Sequence, residues 1–487
     1  MVDRLKLGAR GVLWLVTSTV AGAIIMALEL VAFRLYAPYF GYSIYVWGTM
    51  ISVVMGALAI GYALGGWIAD RDGGERSVYY AILASALYQL VIILTVHALL
   101  QSLSAAGDFV GTVAATLIIF APPMLALATV PPLVTLLLVR SLRVGAAAGM
   151  VYALSTMGSI AGILATSFWL VPHFGTMMTL EVICAVSLLL GIFGLVAARP
   201  AVLASLPLLL ALPLAPGARY PTDTVEVAES PYNFLRVARR GEVLVLFLNA
   251  DAAQTVRLEA GGRTGYYYDD FALGPLLVEA RHALVLGLGG GGSIGAARST
   301  APGLEFEAVE IDSKVIDAAV HWFGLRLNDP LTHIHVADAR RWVAGDIGRY
   351  DLVQLDVYQG SPYIPFYLVT TEFFSLVRMR MANDSLLMMN LFDVSEAQDL
   401  LLATVATLRT VFPAVIVKSG FRGSHMLFAF TRTRSLESAR RQLQGAPIPG
   451  ATIGMREFIP PAATRIFTDD LAPIEQMTRR MLFGLRR

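Results

Sequence analysis

Long runs of apolar residues fill the first 216 positions of the chain, whereas later residues alternate short apolar runs with polar turns. A helix needs about 20 consecutive apolar residues to cross the hydrocarbon core of a bilayer. Six stretches reach that length, namely residues 11–33, 44–69, 78–100, 109–139, 145–170 and 176–198. The pattern therefore predicts a membrane α-helical bundle over residues 1–216, with a lipid bilayer around it.

Two segments of this predicted bundle depart from the simple pattern. Residues 109–139 are longer than one span requires, and they contain the pairs Pro122-Pro123 and Pro131-Pro132. Proline cannot donate the helical hydrogen bond, so these pairs predict a kink or a break. Residues 201–216 are apolar but short, and Pro207 and Pro213 lie within them. The prediction is therefore six spans, or seven if residues 201–216 also cross.

Basic residues between the apolar stretches indicate how the bundle is oriented, because lysine and arginine are enriched in cytoplasmic loops. With the N-terminus inside, only Arg34 lies on the outer side. The cytoplasmic side then holds Arg4, Lys6, Arg10, Arg71, Arg76, Arg140, Arg143 and Arg199. We therefore predict a multi-pass protein of the cell inner membrane with a cytoplasmic C-terminal domain. A seventh span would place that domain outside.

Composition narrows the classes of partner and cofactor. Charged residues make up 15% of the chain, against about a quarter in a typical soluble protein, because the apolar runs contain few of them. The formal net charge of +1 offers no support for a nucleic-acid partner. Cys184 is the only cysteine, which excludes an internal disulfide and a zinc site built from several cysteines. No metal site is predicted.

The second half of the chain shows the periodicity of a mixed α/β protein. Short alternating runs around the turn Arg240-Gly241 predict a small antiparallel β-subdomain over residues 217–280. From residue 281 to 487, predicted strands alternate with predicted helices, which is typical of βαβ units. We predict a doubly wound, Rossmann-like sheet of the methyltransferase type. Its predicted strands are 283–288, 305–311, 333–336, 351–357 and 386–391, and helices are predicted over 314–323 and 371–382.

A glycine-rich segment follows the first predicted strand of this sheet. Gly287, Gly289 and Gly291 lie where glycine lets a ligand approach the backbone closely. Glu310 ends the next strand about twenty residues later, where an acid can accept hydrogen bonds from the hydroxyl groups of a ribose. Asp338 and Ala339 follow the third strand, where an adenine edge would lie. The spacing indicates a nucleoside site; the alternative is that both acids cap helices.

Several short motifs of the second half, taken together in their order along the chain, resemble one enzyme family. They are Leu248-Asn249-Ala250-Asp251 with Gln254, Tyr267-Tyr268-Asp269, the glycine segment, Val309-Glu310-Ile311-Asp312, residues 350–356 and residues 370–374. Over residues 225–430 this pattern resembles spermidine synthase and related polyamine aminopropyltransferases. The whole chain resembles their membrane-fused bacterial relatives.

The resemblance implies a reaction and a set of residue roles. The family transfers an aminopropyl group from decarboxylated S-adenosylmethionine to an amine or polyamine, leaving methylthioadenosine, without a tightly bound cofactor. Asp356 would orient and deprotonate the acceptor amine. Glu310 would hold the ribose, Asp338 the adenine amino group and Gln254 the nucleoside side of the cleft. Related soluble enzymes also imply a homodimer.

The chain also departs from the family pattern in its predicted amine-binding residues, Tyr267, Tyr268, Asp269 and Gln359. Gly292 occupies the position of an aspartate that helps to hold the primary amine of the donor. Gln359 occupies the position of an acid that holds the acceptor. Asp269 replaces a glutamate. The pattern indicates an intact nucleoside pocket and an altered amine pocket, with Asp251, Asp269 and Asp270 as candidate replacements.

Two other functions remain open on the sequence. The second half is also compatible with another S-adenosylmethionine-dependent transferase, such as a methyltransferase. Alternatively, the chain is a transporter or sensor that binds a nucleoside or polyamine without turnover. Glu29 inside the first span favours this option, since an ionisable group in lipid is costly. Residues 66–71 favour it too, because they resemble a loop of major-facilitator transporters.

Overall fold

The computed structural model of the protein describes residues 8–40, 43–198, 220–249, 253–258, 262–358, 362–420 and 423–483. The chain divides into two compact units, Met1–Tyr220 and Pro221–Arg487. The second unit contains residues 221–280 of the predicted β-subdomain and all of the predicted domain 281–487. Gln359 and residues 201–216 lie outside the described residues.

The described part of the first unit is helical. Its helices are α1 (Ala9–Phe40), α2 (Ile44–Asp72), α3 (Glu75–Ser104), α4 (Asp108–Ala115), α5 (Ala121–Ala128), α6 (Val130–Val139), α7 (Val144–Ala165) and α8 (Val171–Ala198). Two short π-helical turns, Thr116–Phe120 and Thr166–Leu170, lie between α4 and α5 and between α7 and α8. The proline pairs begin α5 and α6, as the break predicted over 109–139 requires.

Glycines bring α1 and α7 into backbone contact. A Cβ added at Gly158 would lie 1.9 Å from the carbonyl oxygen of Thr19, and one at Gly162 would lie 2.3 Å from that of Ala23. Small residues at such a seam let two helices pack closely, which is how helices associate where water supplies no driving force. The α1–α7 pair therefore depends on the Gly158–Gly162 spacing.

Among the described residues, five helical stretches are long and apolar enough to cross a membrane: Ala9–Phe40, Ile44–Arg71, Glu75–Ser104, Phe109–Val139 and Val144–Val196. The last has 53 residues, which is far more than one span needs. It includes the predicted stretch 145–170 and most of 176–198. Gly175 interrupts it with φ 75° and ψ 172°, so the helix direction changes there.

The second unit contains a small sheet and a large one. The strands of the small sheet are β1 (Thr224–Glu229), β2 (Phe234–Arg240), β3 (Val243–Leu248) and β4 (Ala253–Leu258), paired antiparallel in that order. The large sheet has the order β12-β10-β11-β9-β8-β5-β6-β7. Its strands are β5 (His282–Leu286), β6 (Glu305–Glu310), β7 (Thr332–Val336), β8 (Tyr350–Leu355), β9 (Met381–Phe392), β10 (Ala414–Ser419), β11 (Ser424–Phe430) and β12 (Met455–Glu457).

Helices connect and cover the large sheet. They are α9 (Gly274–Leu277), α10 (Gly292–Arg298), α11 (Ser313–Trp322), α12 (Ala339–Gly345), α13 (Thr371–Met379), α14 (Asp399–Arg409), α15 (Leu436–Leu443) and α16 (Ile474–Phe483). A 3₁₀ helix, Tyr267–Leu273, precedes α9. The aromatic side chains of Phe271, Phe306 and Phe428 pack into the core on one face of the sheet, and those of Phe373 and Phe412 on the other.

The predicted fold class is confirmed: a Rossmann-like sheet of the methyltransferase type is preceded by a small antiparallel sheet, and long apolar helices precede both. β5 through β9 pair parallel, as alternating strands and helices require. The strands β10, β11 and β12 join antiparallel at one edge. The predicted helix over 371–382 ends at Met379, and β9 begins at Met381.

Candidate functional site

A cleft of about 1050 Å³, its open mouth included, lies at the carboxyl ends of β5, β6, β7 and β8. The carboxyl ends of parallel strands meet at one edge of a sheet, which is where open α/β sheets bind ligands. Four of the predicted acids and glycines line the cleft from these strand ends: Gly287, Glu310, Asp338 and Asp356. Residues separated by up to 69 positions in the sequence thus share one cavity.

The glycine segment turns sharply at the end of β5. Gly287 has φ 85°, and a Cβ there would lie 2.2 Å from the backbone oxygen of Asp356. Only glycine therefore lets β5 and β8 end side by side. The Thr255 hydroxyl of β4 accepts a 3.0 Å hydrogen bond from the Gly290 N–H, which ties the small sheet to this segment. Gly289 lines the cleft, whereas Gly291 faces a second cavity behind the segment.

Glu310 holds the glycine segment in place. Its Oε2 accepts hydrogen bonds from the N–H groups of Leu288 at 3.1 Å and Gly289 at 3.4 Å. Its Oε1 accepts one from the N–H of Asp312 at 3.1 Å. Burial raises the pKa of Glu310, and these three donors oppose that rise. Each carboxylate oxygen has two lone pairs, so Oε1, which accepts a single hydrogen bond, can still accept one from a ligand hydroxyl group.

Asp338 has both a capping contact and a place in the cleft. Its Oδ1 accepts a hydrogen bond from the Arg341 N–H at 2.9 Å and so caps α12. Its Oδ2 accepts one from the Tyr367 hydroxyl at 3.2 Å. Ala339 lines the same wall. Capping and ligand binding are compatible, because the two oxygens point to different partners.

Asp356 lies between two hydrogen-bond donors from other elements. The Tyr267 hydroxyl donates to Oδ2 at 2.8 Å, and the Asn390 Nδ2 donates to Oδ1 at 3.1 Å. Burial raises the pKa of Asp356 to about 6, although both hydrogen bonds lower it. A carboxylate with a pKa near neutrality is suited to accept a proton at physiological pH.

The structure adds Asn390 and Ser424 to the predicted residues. The Ser424 hydroxyl donates to Asn390 Oδ1 at 3.0 Å, which fixes the amide so that its NH₂ group faces Asp356. Asn390 lies in β9 and is 4% exposed. Asn390 is the one polar residue of the predicted strand 386–391, which is the only sign of it in the sequence.

The predicted amine-binding residues occupy different places. Tyr267 and Tyr268 line the cleft, and their rings meet edge to face with centroids 4.9 Å apart. Asp269 instead lines the second cavity and accepts hydrogen bonds from the N–H groups of Thr264 and Gly265. Gln254 lies in β4, but its side chain is outside the described part of the chain, as is the whole of Gln359.

Gly292, at the first turn of α10, leaves space for a side chain. A Cβ at this position would lie 3.7 Å from the Tyr268 ring and 3.8 Å from Thr255, which is ordinary van der Waals contact. Neither contact would require Tyr268 or Thr255 to move. The site therefore has room for the beginning of a side chain at position 292, and crowding does not explain why glycine stands there instead of an acid.

The cleft carries charge of one sign. Among the described residues that line it, three are acids (Glu310, Asp338 and Asp356), and none is lysine, arginine or histidine. Such a cavity attracts cationic ligands, because the low polarity of its walls strengthens the field of the carboxylates. Across the described ranges, no cluster of three or more His, Cys, Asp or Glu side chains has the arrangement of a metal site.

Comparisons with known proteins identify relatives that match part of the chain; no protein-family model matches. The chain is 32% identical over 188 residues to a probable polyamine aminopropyl transferase of Bifidobacterium longum, covering 38% of this chain and 41% of that protein. It is 30% identical over 155 residues to the human eEF1A lysine and N-terminal methyltransferase, covering 29% and 22%. The chain thus spans less than half the length of these curated relatives.

Solved structures similar to the chain include a probable spermidine synthase of Corynebacterium glutamicum, with 15% identity, a TM-score of 0.43, and coverage of 52% of this chain and 98% of that one. Human methyltransferase-like protein 13, in complex with SAH, has 24% identity, a TM-score of 0.32, and coverage of 40% and 94%. The predicted resemblance to spermidine synthase-like proteins is confirmed by the curated relative, and the N-terminal region contains long apolar helices.

Proposed function

We propose that the protein is a membrane-bound aminopropyltransferase that uses decarboxylated S-adenosylmethionine as its co-substrate. One observation carries the proposal: Asp356 lies in a nucleoside-type cleft with its carboxylate held by Tyr267 and Asn390. In the reaction, the lone pair of an acceptor amine attacks the carbon next to the sulfonium. A C–N bond forms, the C–S bond breaks, and methylthioadenosine leaves as a neutral thioether. Asp356 accepts the proton that the amine loses.

The charge of the cleft favours this donor over ordinary S-adenosylmethionine. The decarboxylated donor carries a sulfonium and an ammonium, whereas the ordinary one also carries a carboxylate. Three acids line the cleft without a basic side chain among its described residues. A carboxylate there would have no cationic partner and would face like charges, which is costly in a site of low polarity.

The residue roles follow from position. Glu310 at the end of β6 would bind ribose hydroxyls, and Asp338 with Ala339 at the end of β7 would bind the adenine; all three line the cleft. Tyr267 and Tyr268 form the wall on the acceptor side. Asp356 then faces the reacting carbon, where orientation of the amine supplies much of the acceleration.

The location we propose is the inner membrane, with residues 1–216 as a six-span domain, since a seventh span would place the following domain outside. The β-subdomain 217–280 and the catalytic domain 281–487 lie in the cytoplasm, where the donor nucleoside is made available to polyamine biosynthesis. The bias of basic residues along the sequence supports this orientation. We further propose a homodimer as the working assembly.

A second candidate reaction is methyl transfer to an amine. The similarity to the eEF1A lysine and N-terminal methyltransferase favours it, as does Gly292 in place of an acid for the donor ammonium. The same base and cleft would serve, because both reactions pass an alkyl group from a sulfonium to nitrogen. The donor distinguishes the two.

The test uses the full-length protein in detergent, supplied separately with the decarboxylated and the ordinary donor and a panel of amines. Mass spectrometry measures aminopropylated or methylated product. We expect aminopropyl transfer, lowered by about 10²- to 10⁴-fold in Asp356→Asn, the range typical of a general base. Asp317→Asn, in an exposed ion pair on α11, is the matched control. Methyl transfer alone would overturn the proposal.

A further inference from the structure

Another cavity, which we call the edge cavity, lies where β9 ends beside the strands β10, β11 and β12. It measures about 1000 Å³, its open mouth included. Four of its lining residues come from these strands or the segment after β9: Asp393, Ser419, His425 and Arg456. None of the acids that line the nucleoside cleft is among its described lining residues. The edge cavity is therefore separate from the site around Asp356.

A serine hydroxyl and an imidazole ring are in hydrogen-bond contact in the edge cavity. Ser419 Oγ lies 3.0 Å from His425 Nδ1. The other ring nitrogen, Nε2, lies 3.1 Å from the backbone oxygen of Asp393. A carbonyl oxygen can only accept a hydrogen bond, so Nε2 carries the ring proton and Nδ1 is left as an acceptor. Ser419 therefore donates its hydroxyl proton toward His425.

Burial keeps His425 in the form that can accept this proton. The residue is 3% exposed, and its burial lowers the pKa of the imidazole. Asp393 opposes this fall through its carbonyl and its charge, whereas the Arg456 guanidinium adds to it. The ring is therefore neutral at pH 7. A hydroxyl in contact with a neutral base, which a third group orients, is the arrangement that activates a serine as a nucleophile.

A guanidinium supplies positive charge to the same cavity. Arg456 is the only lysine or arginine among the described lining residues, and its Nη2 donates to Gln398 Oε1 at 3.0 Å. Gln398 has φ 49° and ψ 38°, a left-handed backbone that residues other than glycine rarely adopt and that is concentrated at ligand and catalytic sites. A fixed positive charge stabilises the oxyanion that forms when a nucleophile attacks a carbonyl group.

We propose that Ser419 and His425 form a second catalytic site, which hydrolyses carboxylic esters. Ser419 Oγ attacks the acyl carbon while its proton passes to His425 Nδ1, and the tetrahedral oxyanion faces Arg456. The C–O bond of the ester then breaks, and the alcohol leaves with the proton from His425. Water, deprotonated by His425, attacks the acyl-serine and releases the acid. The net reaction consumes one ester and one water, and it is independent of the proposed transfer reaction.

A fluorophosphonate probe tests the nucleophile, because it forms a covalent bond with activated serines. The full-length protein in detergent is treated with the probe and digested, and mass spectrometry identifies the modified peptide. We expect the label on Ser419. Ser395 is the internal control, since it lines the same cavity but donates to the Asp393 carboxylate at 2.5 Å and has no histidine partner. Label on neither serine, or equally on both, would overturn the proposal.

Hydrolysis of p-nitrophenyl acetate tests the reaction. Ser419→Ala should reduce the rate to that of the buffer, and His425→Gln should lower it by about 10²- to 10⁴-fold, the range typical of a general base. Ser395→Ala is the matched control and should hydrolyse the ester at the normal rate. If His425→Gln folds poorly, Ser419→Ala decides, with circular dichroism as the check of its fold. Hydrolysis that persists in Ser419→Ala would overturn the proposal.

A purely structural role of this contact would give a different result. If the Ser419–His425 hydrogen bond only ties the β10–β11 hairpin to the end of β9, both variants lower the midpoint of thermal denaturation, and the unaltered protein neither reacts with the probe nor hydrolyses the ester. That result would overturn the second site. It would leave the transfer reaction standing, because transfer is measured with a sulfonium donor and depends on Asp356.

Discussion

The Tyr267 hydroxyl lies 2.8 Å from Asp356 Oδ2 and donates to it across 89 residues of sequence. The contact joins the segment after the small sheet to the end of β8. Burial raises the pKa of Tyr267 well above its usual range, so the hydroxyl stays protonated and remains a donor at neutral pH. Asp356 is thereby oriented, and its pKa is lowered by this donor and by Asn390 even as burial raises it to about 6.

The pH dependence of the proposed reaction should show two slopes. The acceptor must be neutral, so log kcat/KM for the amine rises by one unit per pH unit below the pKa of the amine. Below about pH 6, Asp356 is protonated and can no longer act as the base, so the slope of log kcat/KM against pH increases from one to two. We expect the slope to change from two to one near pH 6. A single slope from pH 5 to 8 would exclude Asp356 as the titrating base.

Asn390→Leu should move this change of slope to higher pH. The amide donates to Asp356 Oδ1 at 3.1 Å, and its loss makes the charged carboxylate less favourable. A hydrogen bond to a charged group contributes about 1.5–3 kcal/mol, which corresponds to an upward shift of about one pKa unit or more. The affinity for methylthioadenosine should stay unchanged. A normal pH profile with reduced activity would indicate a purely structural role.

Glu310→Ala should abolish nucleoside binding while the chain still folds. Calorimetry with methylthioadenosine measures the first effect and circular dichroism the second. The variant leaves the N–H groups of Leu288, Gly289 and Asp312 without their acceptor, so we also expect a loss of about 1–3 kcal/mol in the free energy of unfolding. Glu305→Ala, at the exposed start of the same strand, is the control. Unchanged affinity would contradict the ribose assignment.

Gly287→Ala should destabilise the second unit by about 1–3 kcal/mol or more. The residue has φ 85°, and a Cβ would lie 2.2 Å from the backbone oxygen of Asp356, so strain and overlap act together. Gly295→Ala is the matched control, because nothing lies within 4 Å of its Cβ position and it is in a helix. Thermal denaturation should separate the two variants. Equal midpoints would show that the turn after β5 relaxes freely.

The sequence was informative about the parts of the site that lie at strand ends. Gly287, Glu310, Asp338 and Asp356 each follow or end an apolar run, and parallel strands place such positions at one edge. Residues whose role depends on contacts across the sheet are harder to predict from the sequence. Asn390 was within a predicted strand, yet nothing local marks it as a partner of Asp356.

Asp269 and Asp270 illustrate the same limit. As neighbours in sequence they were equivalent candidates for binding an amine, but the 3₁₀ helix directs one to Thr264 and Gly265 and the other to Lys418. The difference arises because side-chain direction depends on the helical turn and on strands far along the chain. The antiparallel edge formed by β10, β11 and β12 is likewise a product of long-range pairing.

Run length and periodicity were sufficient for the long apolar helices, the α/β alternation and the nucleoside-type strand ends, because each is a local property of the chain. The partners of Asp356 and the counter-ion of Asp270 were settled only by tertiary structure. Tyr267, Asn390 and Lys418 reach these carboxylates from 89, 34 and 148 residues away in the sequence.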